Sequence, residues 1–206
     1  SCGVKANVIK NYFMNYELYN EDLTIDMSSK EIAYHKIKND QKWKVTLSDT
    51  GLNTLKGARI KRVEKYLDNE VNMVTYGDGV ADINIKELLK FHKSHGKTIT
   101  LTGVHPPARF GEIIEKDGKV ISFEEKPQTS VGLINGGFMV FNKNLLEYLD
   151  DDEACDFEAG PLEELAKNGE VMVYKHQGQW GCMDHLRDVE HLNNLWNSKN
   201  AFWKVW

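Results

Sequence analysis

The sequence predicts an α/β fold built on an open sheet, and three consecutive segments carry this prediction. Residues 71–76 have the apolar character of a buried strand, and the strand ends in a Gly-Asp-Gly loop. A helical pattern follows, from a capping Asn84 to a terminating Gly96. Residues 98–104 then form a second apolar strand. This strand–helix–strand order predicts two parallel strands joined by a right-handed crossover.

The composition suits one globular domain over residues 1–206. The chain has 206 residues, of which 41% are hydrophobic and 28% charged, enough for a sizeable core. The formal net charge of -5 disfavours nonspecific nucleic-acid binding. The sequence contains no apolar run that could span a membrane, and no signal peptide is visible. The three cysteines are not at metal-ligand spacing, which suits a reducing cytoplasmic location.

The remaining predicted elements, in chain order, are a helix at 6–16, strands at 23–27, 31–35 and 43–47, a helix from Gly57 with an inward stripe of Ile60, Val63 and Leu67, a hairpin of 111–115 and 120–125, a strand at 133–141, a helix at 157–167, a strand at 171–174, and a helix after Asp184. The Asp-Gly pair between the two hairpin segments is a strong turn signal. Residues 202–206 are too aromatic for a free end. We therefore expect them to pack on the body or on another subunit, which makes a homo-oligomer the expected assembly.

Two aspartates stand where ligands bind in open α/β sheets, beyond the ends of strands. Asp78 lies between Gly77 and Gly79, and these glycines let a bulky, charged ligand approach the backbone. Its carboxylate could accept a proton, cap the next helix or hold a hard cation, and a plain turn is the competing interpretation. Asp184 precedes the last helix, where an N-cap is the competing interpretation.

Two basic residues are candidate phosphate ligands. Arg59 lies in the first turn of the helix that opens at Gly57, where a cation opposes the helix dipole unless an anion binds there. The alternative is an exposed arginine on a basic helix. Lys126 follows Glu125 where a strand passes into a loop, a good position for a phosphate ligand. The alternative there is a surface Glu-Lys pair of little energetic value.

An Asn135-Gly136-Gly137 sequence interrupts the strand at 133–141. Glycine weakens a strand unless another backbone or a ligand must come close. Asn135 offers both a donor and an acceptor, which suits recognition of hydroxyl groups. A β-bulge is the competing interpretation.

Seven sequence blocks in order identify a family. They are D-T-G…G-A-R-I-K-R-V, T-Y-G-D-G-V-A-D, F-H-K-S-H-G-K, P-P-A-R-F-G, F-E-E-K-P, I-N-G-G-F-M-V-F and M-D-H-L-R-D. Across essentially all of its length the chain resembles the glucose-1-phosphate cytidylyltransferases, a branch of the sugar-phosphate nucleotidyltransferases. Single blocks such as E-K-P are weak, whereas seven in family order are specific. The resemblance implies a Rossmann-like, three-layer nucleotidyltransferase fold with a mixed, mostly parallel central sheet and a small β-hairpin region.

The resemblance also implies an activity and a set of site residues. The reaction is the transfer of CMP from CTP to α-D-glucose 1-phosphate, giving CDP-glucose and pyrophosphate with Mg²⁺, for bacterial surface polysaccharide such as O-antigen. The residues matching the family's metal ligands are Asp78 and Asp184. Those matching nucleotide contacts are Thr54, Arg59 and Gly77. Those matching sugar-phosphate contacts are Glu125, Lys126, Asn135 and Gly136. The catalytic roles would fall to Arg59, Lys126 and Asp78.

The chain departs from the family pattern at its beginning. It contains neither the family's glycine-rich G-G-x-G-T-R loop nor the P-K-P segment, so we expect it to start within the family's second strand and to turn over little by itself. His185 stands where the family more often has Thr. Three alternatives remain: a nucleotidyltransferase that uses UTP, dTTP or GTP, a truncated non-catalytic paralogue that binds sugar phosphate, and an α/β domain in which Asp78 and Asp184 are only caps.

Overall fold

The fold is α/β with a mixed central sheet, as predicted. The computed structural model describes residues 1–35, 42–106, 112–124 and 132–205. The chain divides into two compact units, the first made of Ser1–Leu67 and Leu146–Pro161 and the second of Asp68–Leu145 and Leu162–Trp206. The single domain expected over residues 1–206 stays a prediction.

A four-stranded sheet forms the centre of the second unit. Its strands are β3 (Val71–Thr75), β5 (Ile99–Val104), β8 (Ile134–Asn142) and β9 (Val171–Lys175), in the order β3-β8-β5-β9. β8 is antiparallel to both of its neighbours, and β9 is parallel to β5. β3 and β5 therefore run in the same direction, as predicted, but they are not paired because β8 lies between them. Local periodicity predicts strands and says nothing about which strand becomes a neighbour.

Helix α4 (Ile85–His95) connects β3 and β5 and covers the sheet. Both of its predicted ends are confirmed, since the Asn84 side chain accepts hydrogen bonds from two backbone N–H groups and Gly96 adopts a left-handed φ of 67°. Leu88 packs with Ile83 and Val140 in the core of this unit. The partly buried residues around that cluster are Val71, Ala81, Leu89, Phe138 and Tyr174.

Replacing Asn84 by Ala should lower the free energy of unfolding by about 1 kcal/mol, because the N–H groups of Lys86 and Glu87 lose their acceptor, Asn84 Oδ1, at 3.1 Å. Urea unfolding at neutral pH measures the loss. Asn84→Asp is the matched control, since a carboxylate accepts the same two hydrogen bonds and should preserve stability. Equal stability of Asn84→Ala and the wild type would contradict this assignment of the cap.

The predicted hairpin is present. β6 (Glu112–Lys116) and β7 (Lys119–Glu124) are joined by Asp117 and Gly118, whose φ angles of 52° and 75° are both left-handed, as a type I′ turn requires. β1 (Asp22–Ile25) and β2 (Ile32–His35), which were predicted as separate strands, pair antiparallel. Each of these four strands agrees with its predicted range to within two residues at either end.

A short ribbon, β4 (Gly79–Ala81) paired with β10 (Trp180–Cys182), was not predicted. Three residues are too few to show an alternating pattern, so residues 79–81 resembled part of a plain strand-to-helix turn. The ribbon forms a separate two-stranded sheet within the second unit. Its antiparallel register places Gly79 opposite Cys182.

The first unit departs most from the sequence prediction. The predicted helix at 6–16 is broken at Asn15 into α1 (Ala6–Met14) and α2 (Tyr16–Asn20). The strand predicted at 43–47 is wrong, because residues 42–48 have no ladder partner in the described chain. A single bridge from Asp49 to Cys2 is the nearest pairing.

Helix α3 (Lys56–Arg62) is shorter than the predicted stripe and is followed by a 3-10 turn at Glu64–Tyr66. Gly57 is required in it, since a Cβ there would lie 2.8 Å from the carbonyl oxygen of Asp156. The helix predicted at 157–167 begins late, as α5 (Glu163–Lys167), because Ala159 and Gly160 have non-helical backbone angles.

The chain ends with α6 (Leu186–Asn197) and the aromatic segment. Phe202 and Trp203 stack edge to face at 4.9 Å, and the Phe202 ring lies beside Gly181 of the ribbon, so the predicted packing of the tail on the body is confirmed. None of the helices in the described ranges is both long enough and apolar enough to cross a membrane.

Candidate active site

Three stretches that are distant in sequence meet in the second unit: residues 76–79, 135–137 and 180–184. The Tyr76 N–H donates to the Gly137 carbonyl at 3.1 Å, and the Met183 N–H donates to the Asp78 carbonyl at 2.9 Å. The Trp180 indole Nε1 donates to the Gly136 carbonyl at 2.9 Å. The structure therefore brings Gly77, Asp78, Asn135, Gly136 and Asp184 to one place.

Asp78 and Asp184 lie at the same end of the ribbon. Cys182 lies opposite Gly79, and the next residue, Met183, donates its N–H to the Asp78 carbonyl. Asp184 therefore lies one residue beyond the position opposite Asp78. Within the described residues, the Asp78 carboxylate makes no hydrogen bond or ion pair. The cap interpretation fails for Asp78, since Asn84 caps the following helix.

Asp184 does not cap a helix either. The N-cap of α6 is His185, whose N–H donates to Asp188 Oδ2 at 3.0 Å in a capping box. Asp184 Oδ2 instead accepts from the Cys182 thiol at 3.4 Å. Burial, together with this hydrogen bond and the nearby charge of Asp184, raises the pKa of Cys182 to about 11. The thiol therefore stays protonated at neutral pH and remains a donor.

The donor set at this end of the ribbon fits Mg²⁺. Among the described residues, no group of three or more His, Cys, Asp or Glu is placed to hold a metal ion. Mg²⁺ requires less, because it is commonly held by one or two carboxylates together with phosphate oxygens and water.

A β-bulge is present at the glycine-rich stretch of β8, as the competing interpretation proposed. The pairing of β8 with β5 shifts between Leu101, opposite Met139, and Gly103, opposite Asn135. The Asn135 Oδ1 accepts from the Gly137 N–H at 3.0 Å. That bond occupies the side-chain oxygen and leaves the amide nitrogen without a partner in the described part of the chain.

Both glycines of the bulge are required by packing. A Cβ on Gly136 would lie 2.6 Å from Val104 Cγ1. Gly137 has a left-handed φ of 79°, and a Cβ there would lie 3.0 Å from the Tyr76 ring. The bulge thus has a structural reason, and both of its glycines are buried. The sugar-phosphate roles of Asn135 and Gly136 stay predictions.

Arg59 and Thr54 lie in the first unit and make contacts that the sequence did not indicate. Arg59 Nη1 donates to Thr50 Oγ1 at 2.7 Å and to the Cys2 carbonyl at 3.3 Å, while Nη2 donates to the Leu52 carbonyl at 3.3 Å. Arg59 is the fourth residue of a seven-residue helix, and its guanidinium holds the loop before that helix. The predicted nucleotide contacts of Arg59 and Thr54 stay predictions.

Arg62 was missed by the sequence prediction. Its Nη1 donates to Thr54 Oγ1 and to the Thr50 carbonyl, both at 2.9 Å, and its Nη2 donates to the Asp151 carbonyl at 2.7 Å. It therefore joins the loop before α3 to the acidic segment at 150–153. The run of Lys and Arg in α3 indicated a solvated basic face, and spacing alone does not separate Arg62 from its neighbours.

Glu125 and Lys126 fall outside the described residues.

Comparison with known proteins identifies relatives across the whole chain. The family model for nucleotidyl transferases matches residues 13–202. Glucose-1-phosphate cytidylyltransferase of Salmonella typhimurium is 46% identical over 206 residues, which cover 100% of this chain and 79% of that protein. A glucose-1-phosphate adenylyltransferase of Acetivibrio thermocellus is 32% identical over 152 residues, 68% of this chain and 34% of that protein. The crystal structure of HddC from Yersinia pseudotuberculosis complexed with GMP-PN superposes with a TM-score of 0.58 at 21% identity, covering 93% of this chain and 74% of that one.

Proposed function

Since the chain belongs to the nucleotidyl transferase family, we propose that it transfers CMP from CTP to α-D-glucose 1-phosphate, forming CDP-glucose and pyrophosphate. One observation carries the proposal to the level of residues. Three distant stretches meet where Asp78 and Asp184 lie together near the Gly136 carbonyl. Two exposed, partner-poor carboxylates beside the exposed backbone of Gly77 suit a metal-bound polyphosphate.

The proposed mechanism depends on positioning and on charge. Glucose 1-phosphate is already an anion at neutral pH, so its attacking oxygen needs no general base, and in-line placement at the α-phosphorus supplies most of the rate. Mg²⁺ bound to Asp78 and Asp184 would offset negative charge on the phosphates. Asn135, whose amide nitrogen is available, would donate to a sugar hydroxyl, and Glu125 and Lys126 would hold the sugar phosphate.

Arg59 has a limited role in this proposal. Its contacts with Cys2, Thr50 and Leu52 occupy three of its five N–H donors. The two donors that remain, with the charge, would serve the triphosphate, while the bound ones fix the loop that leads to Thr54. Arg59 would therefore act both as a ligand and as a support of its own loop.

The choice of CTP rests on the extent of the similarity. The cytidylyltransferase relative aligns with 100% of the chain and the adenylyltransferase relative with 68%. UTP, dTTP and GTP remain the alternatives. The proposal also includes a cytoplasmic location, supported by the free thiols of the three cysteines, and use of the product in surface polysaccharide. It also includes a homo-oligomer, supported by exposed apolar side chains such as Met14, which is 82% exposed. Light scattering that finds only a monomer would exclude the homo-oligomer.

The experiment compares nucleotides in two readouts. We expect pyrophosphate release with glucose 1-phosphate to be fastest with CTP, and calorimetry to show the tightest product binding for CDP-glucose. The binding measurement decides when rates are near background. Tighter binding of UDP-, dTDP- or GDP-glucose would replace the cytidylyl assignment. Binding of glucose 1-phosphate without any turnover or nucleotide binding would favour the non-catalytic alternative.

A further inference from the structure

We propose that His176 and Asp82 form a positioning pair, the His176–Asp82 latch, that fixes the β4–β10 ribbon to the central sheet and so holds Asp78 and Asp184 in register with each other and with the β8 bulge. This inference rests on the proposed function, because it assumes that the two aspartates bind the metal. It assigns to the latch a role in metal affinity rather than in chemistry.

The latch joins two elements through one short hydrogen bond. His176 Nε2 lies 2.8 Å from Asp82 Oδ1. A carboxylate oxygen accepts, so Nε2 carries the proton and donates. The His176 side chain is 9% exposed and that of Asp82 31%. The bond is thus largely shielded from water, which strengthens it relative to a surface pair.

Each partner is also fixed to its own element by the backbone. His176 directly follows β9, and its N–H donates to the Gly103 carbonyl of β5 at 2.9 Å. Asp82 directly follows β4, and its N–H donates to the Gln179 carbonyl of the opposite ribbon strand at 3.3 Å. The imidazole therefore belongs to the sheet and the carboxylate to the ribbon, and their bond is a link between the two.

The ribbon needs such links because it is small. β4 and β10 have three residues each and form a sheet of their own. A two-stranded ribbon is marginally stable by itself. A second side-chain link, from Trp180 Nε1 to the Gly136 carbonyl, lies beside Gly79. This link and the bond from the Tyr76 N–H to the Gly137 carbonyl hold the Asp78 end of the ribbon, whereas the latch holds the Asp82 end.

Asp78 and Asp82 lie at opposite ends of β4. Four residue steps separate them, about 13 Å in an extended strand. If the Asp82 end is released, the ribbon can tilt about the contacts of Trp180 and Tyr76 with β8, and this tilt shifts the Asp78 and Asp184 carboxylates relative to Asn135 and Gly136. Groups that orient metal ligands from outside the coordination sphere typically contribute 10–100-fold to metal affinity. We expect the latch to act at the lower end of that range because it works through the ribbon.

The test measures Mn²⁺ binding by the whole 206-residue chain, with the loss of the free Mn²⁺ electron paramagnetic resonance signal as the readout. Mn²⁺ prefers the same oxygen ligands as Mg²⁺. We expect Asp82→Ala and His176→Phe to raise the Mn²⁺ dissociation constant about tenfold. Asp82→Asn and His176→Gln keep an acceptor and a donor in place, and they should restore binding close to the wild-type value.

Glu170→Ala is the matched stability control. Glu170 accepts from the Thr98 N–H at 3.1 Å and the Thr98 hydroxyl at 3.0 Å, an anchor at the other end of β5 and β9. Its removal should lower the melting temperature without weakening Mn²⁺ binding. A loss of Mn²⁺ affinity in Glu170→Ala equal to that in Asp82→Ala would reduce the latch to general stability and overturn the inference.

Asp78→Asn separates the two proposals. If it binds Mn²⁺ as tightly as the wild type, or if the wild type shows no saturable binding, the metal site fails, and the latch inference falls with it. If Asp78→Asn loses binding while Asp82→Ala and His176→Phe retain it, the metal site stands and only the latch is wrong. A loss of Mn²⁺ affinity in the conservative variants, Asp82→Asn and His176→Gln, as large as that in Asp82→Ala and His176→Phe would also contradict the latch.

Discussion

Replacing Asp78 by Asn should lower the rate of pyrophosphate release roughly a thousandfold, because the variant loses the charge that, in the proposed site, would hold Mg²⁺ against the phosphates. The side chain keeps its shape, and no hydrogen bond within the described residues depends on it, so the fold should be preserved. A metal ion supplies several kcal/mol of charge stabilisation in the transition state, and about 4 kcal/mol corresponds to this factor. Saturating Mg²⁺ should not restore the rate.

The measurement is kcat and KM with CTP and glucose 1-phosphate over a range of Mg²⁺ concentrations, with Mn²⁺ binding as the parallel readout where turnover is low. Asp117→Asn is the matched control. It makes the same substitution in the same unit, in an exposed turn where Asn tolerates the left-handed φ of 52°. Asp117→Asn should leave the kinetics unchanged. Near-wild-type pyrophosphate release by Asp78→Asn at saturating Mg²⁺ would remove Asp78 from the metal site.

The second large effect is expected at His92, where Phe should lower the free energy of unfolding by about 3 kcal/mol. His92 is 1% exposed and is hydrogen-bonded through both ring nitrogens. Its Nδ1 lies 2.9 Å from Thr100 Oγ1, and its Nε2 lies 3.1 Å from Asn142 Oδ1. His95 Nε2 also contacts Thr100 Oγ1, at 2.8 Å. Phe fills the space but leaves a buried hydroxyl proton and an amide oxygen without partners.

The hydrogen bonds determine the protonation state of this network. The Lys97 N–H donates to His95 Nδ1 at 2.9 Å, so His95 Nε2 must carry the proton and donate to Thr100. The Thr100 hydroxyl then donates to His92 Nδ1, and His92 Nε2–H donates to Asn142 Oδ1, whose Nδ2 donates to the Lys97 carbonyl at 2.9 Å. Both histidines are neutral in this arrangement. A proton added to His92 Nδ1 would oppose the Thr100 donor.

Acid should therefore destabilise the fold through these two histidines. Burial lowers the pKa of His92 from 6.5, although its hydrogen bond to Asn142 opposes the shift and Lys93 adds to it. Burial also lowers the pKa of His95, with contributions from the charges of His92 and Lys97 and opposition from Glu170. A lowered folded-state pKa means that the unfolded chain binds the proton first. The stability is complete above about pH 6.5 and is lost as the pH falls below it, at up to about 1.4 kcal/mol per pH unit for each histidine.

Urea unfolding at several pH values between 7.5 and 5 measures both effects. The lower limit avoids Glu170, whose pKa lies below its usual value because of its hydrogen bonds with Lys97 and Thr98, so that its contribution is lost only in more acidic solution. His92→Phe should be less stable at pH 7.5 and should show a shallower decline with acid. His191→Phe, at an exposed position of α6, should change neither quantity. An equal acid slope in His92→Phe and the wild type would contradict the role of this histidine.

Local signals in the sequence predicted local structure well. Asn84 and Gly96 marked the ends of α4, and the Asp117-Gly118 pair marked a type I′ turn, because each acts on backbone within a few residues. The ribbon and the insertion of β8 between β3 and β5 were not predictable in the same way. Both depend on pairing between segments far apart in the chain, and neither leaves a periodic pattern.

The candidate site was accessible to motif reasoning only in part. The loop of Asp78 and the bulge of Asn135 were recognised from glycines beside polar residues, and their proximity is an observation of the structure. Arg62 and His176 escaped recognition because their partners, the Asp151 carbonyl and the Asp82 carboxylate, are distant in sequence. A charged side chain that bonds to remote backbone has the same sequence appearance as one that is solvated.

The central position of β8 has a consequence for biosynthesis. β3 and β5 each pair with β8, and Val71 has its partner in Asn142. While the ribosome extends the chain, β3, α4 and β5 emerge before β8 and β9, the strands that pair with β3 and β5 among the described residues. Contacts of this sequence separation are slow to form. The nascent protein should therefore depend on chaperone protection until residue 142 has left the exit tunnel, and it should gain protease resistance abruptly after that point.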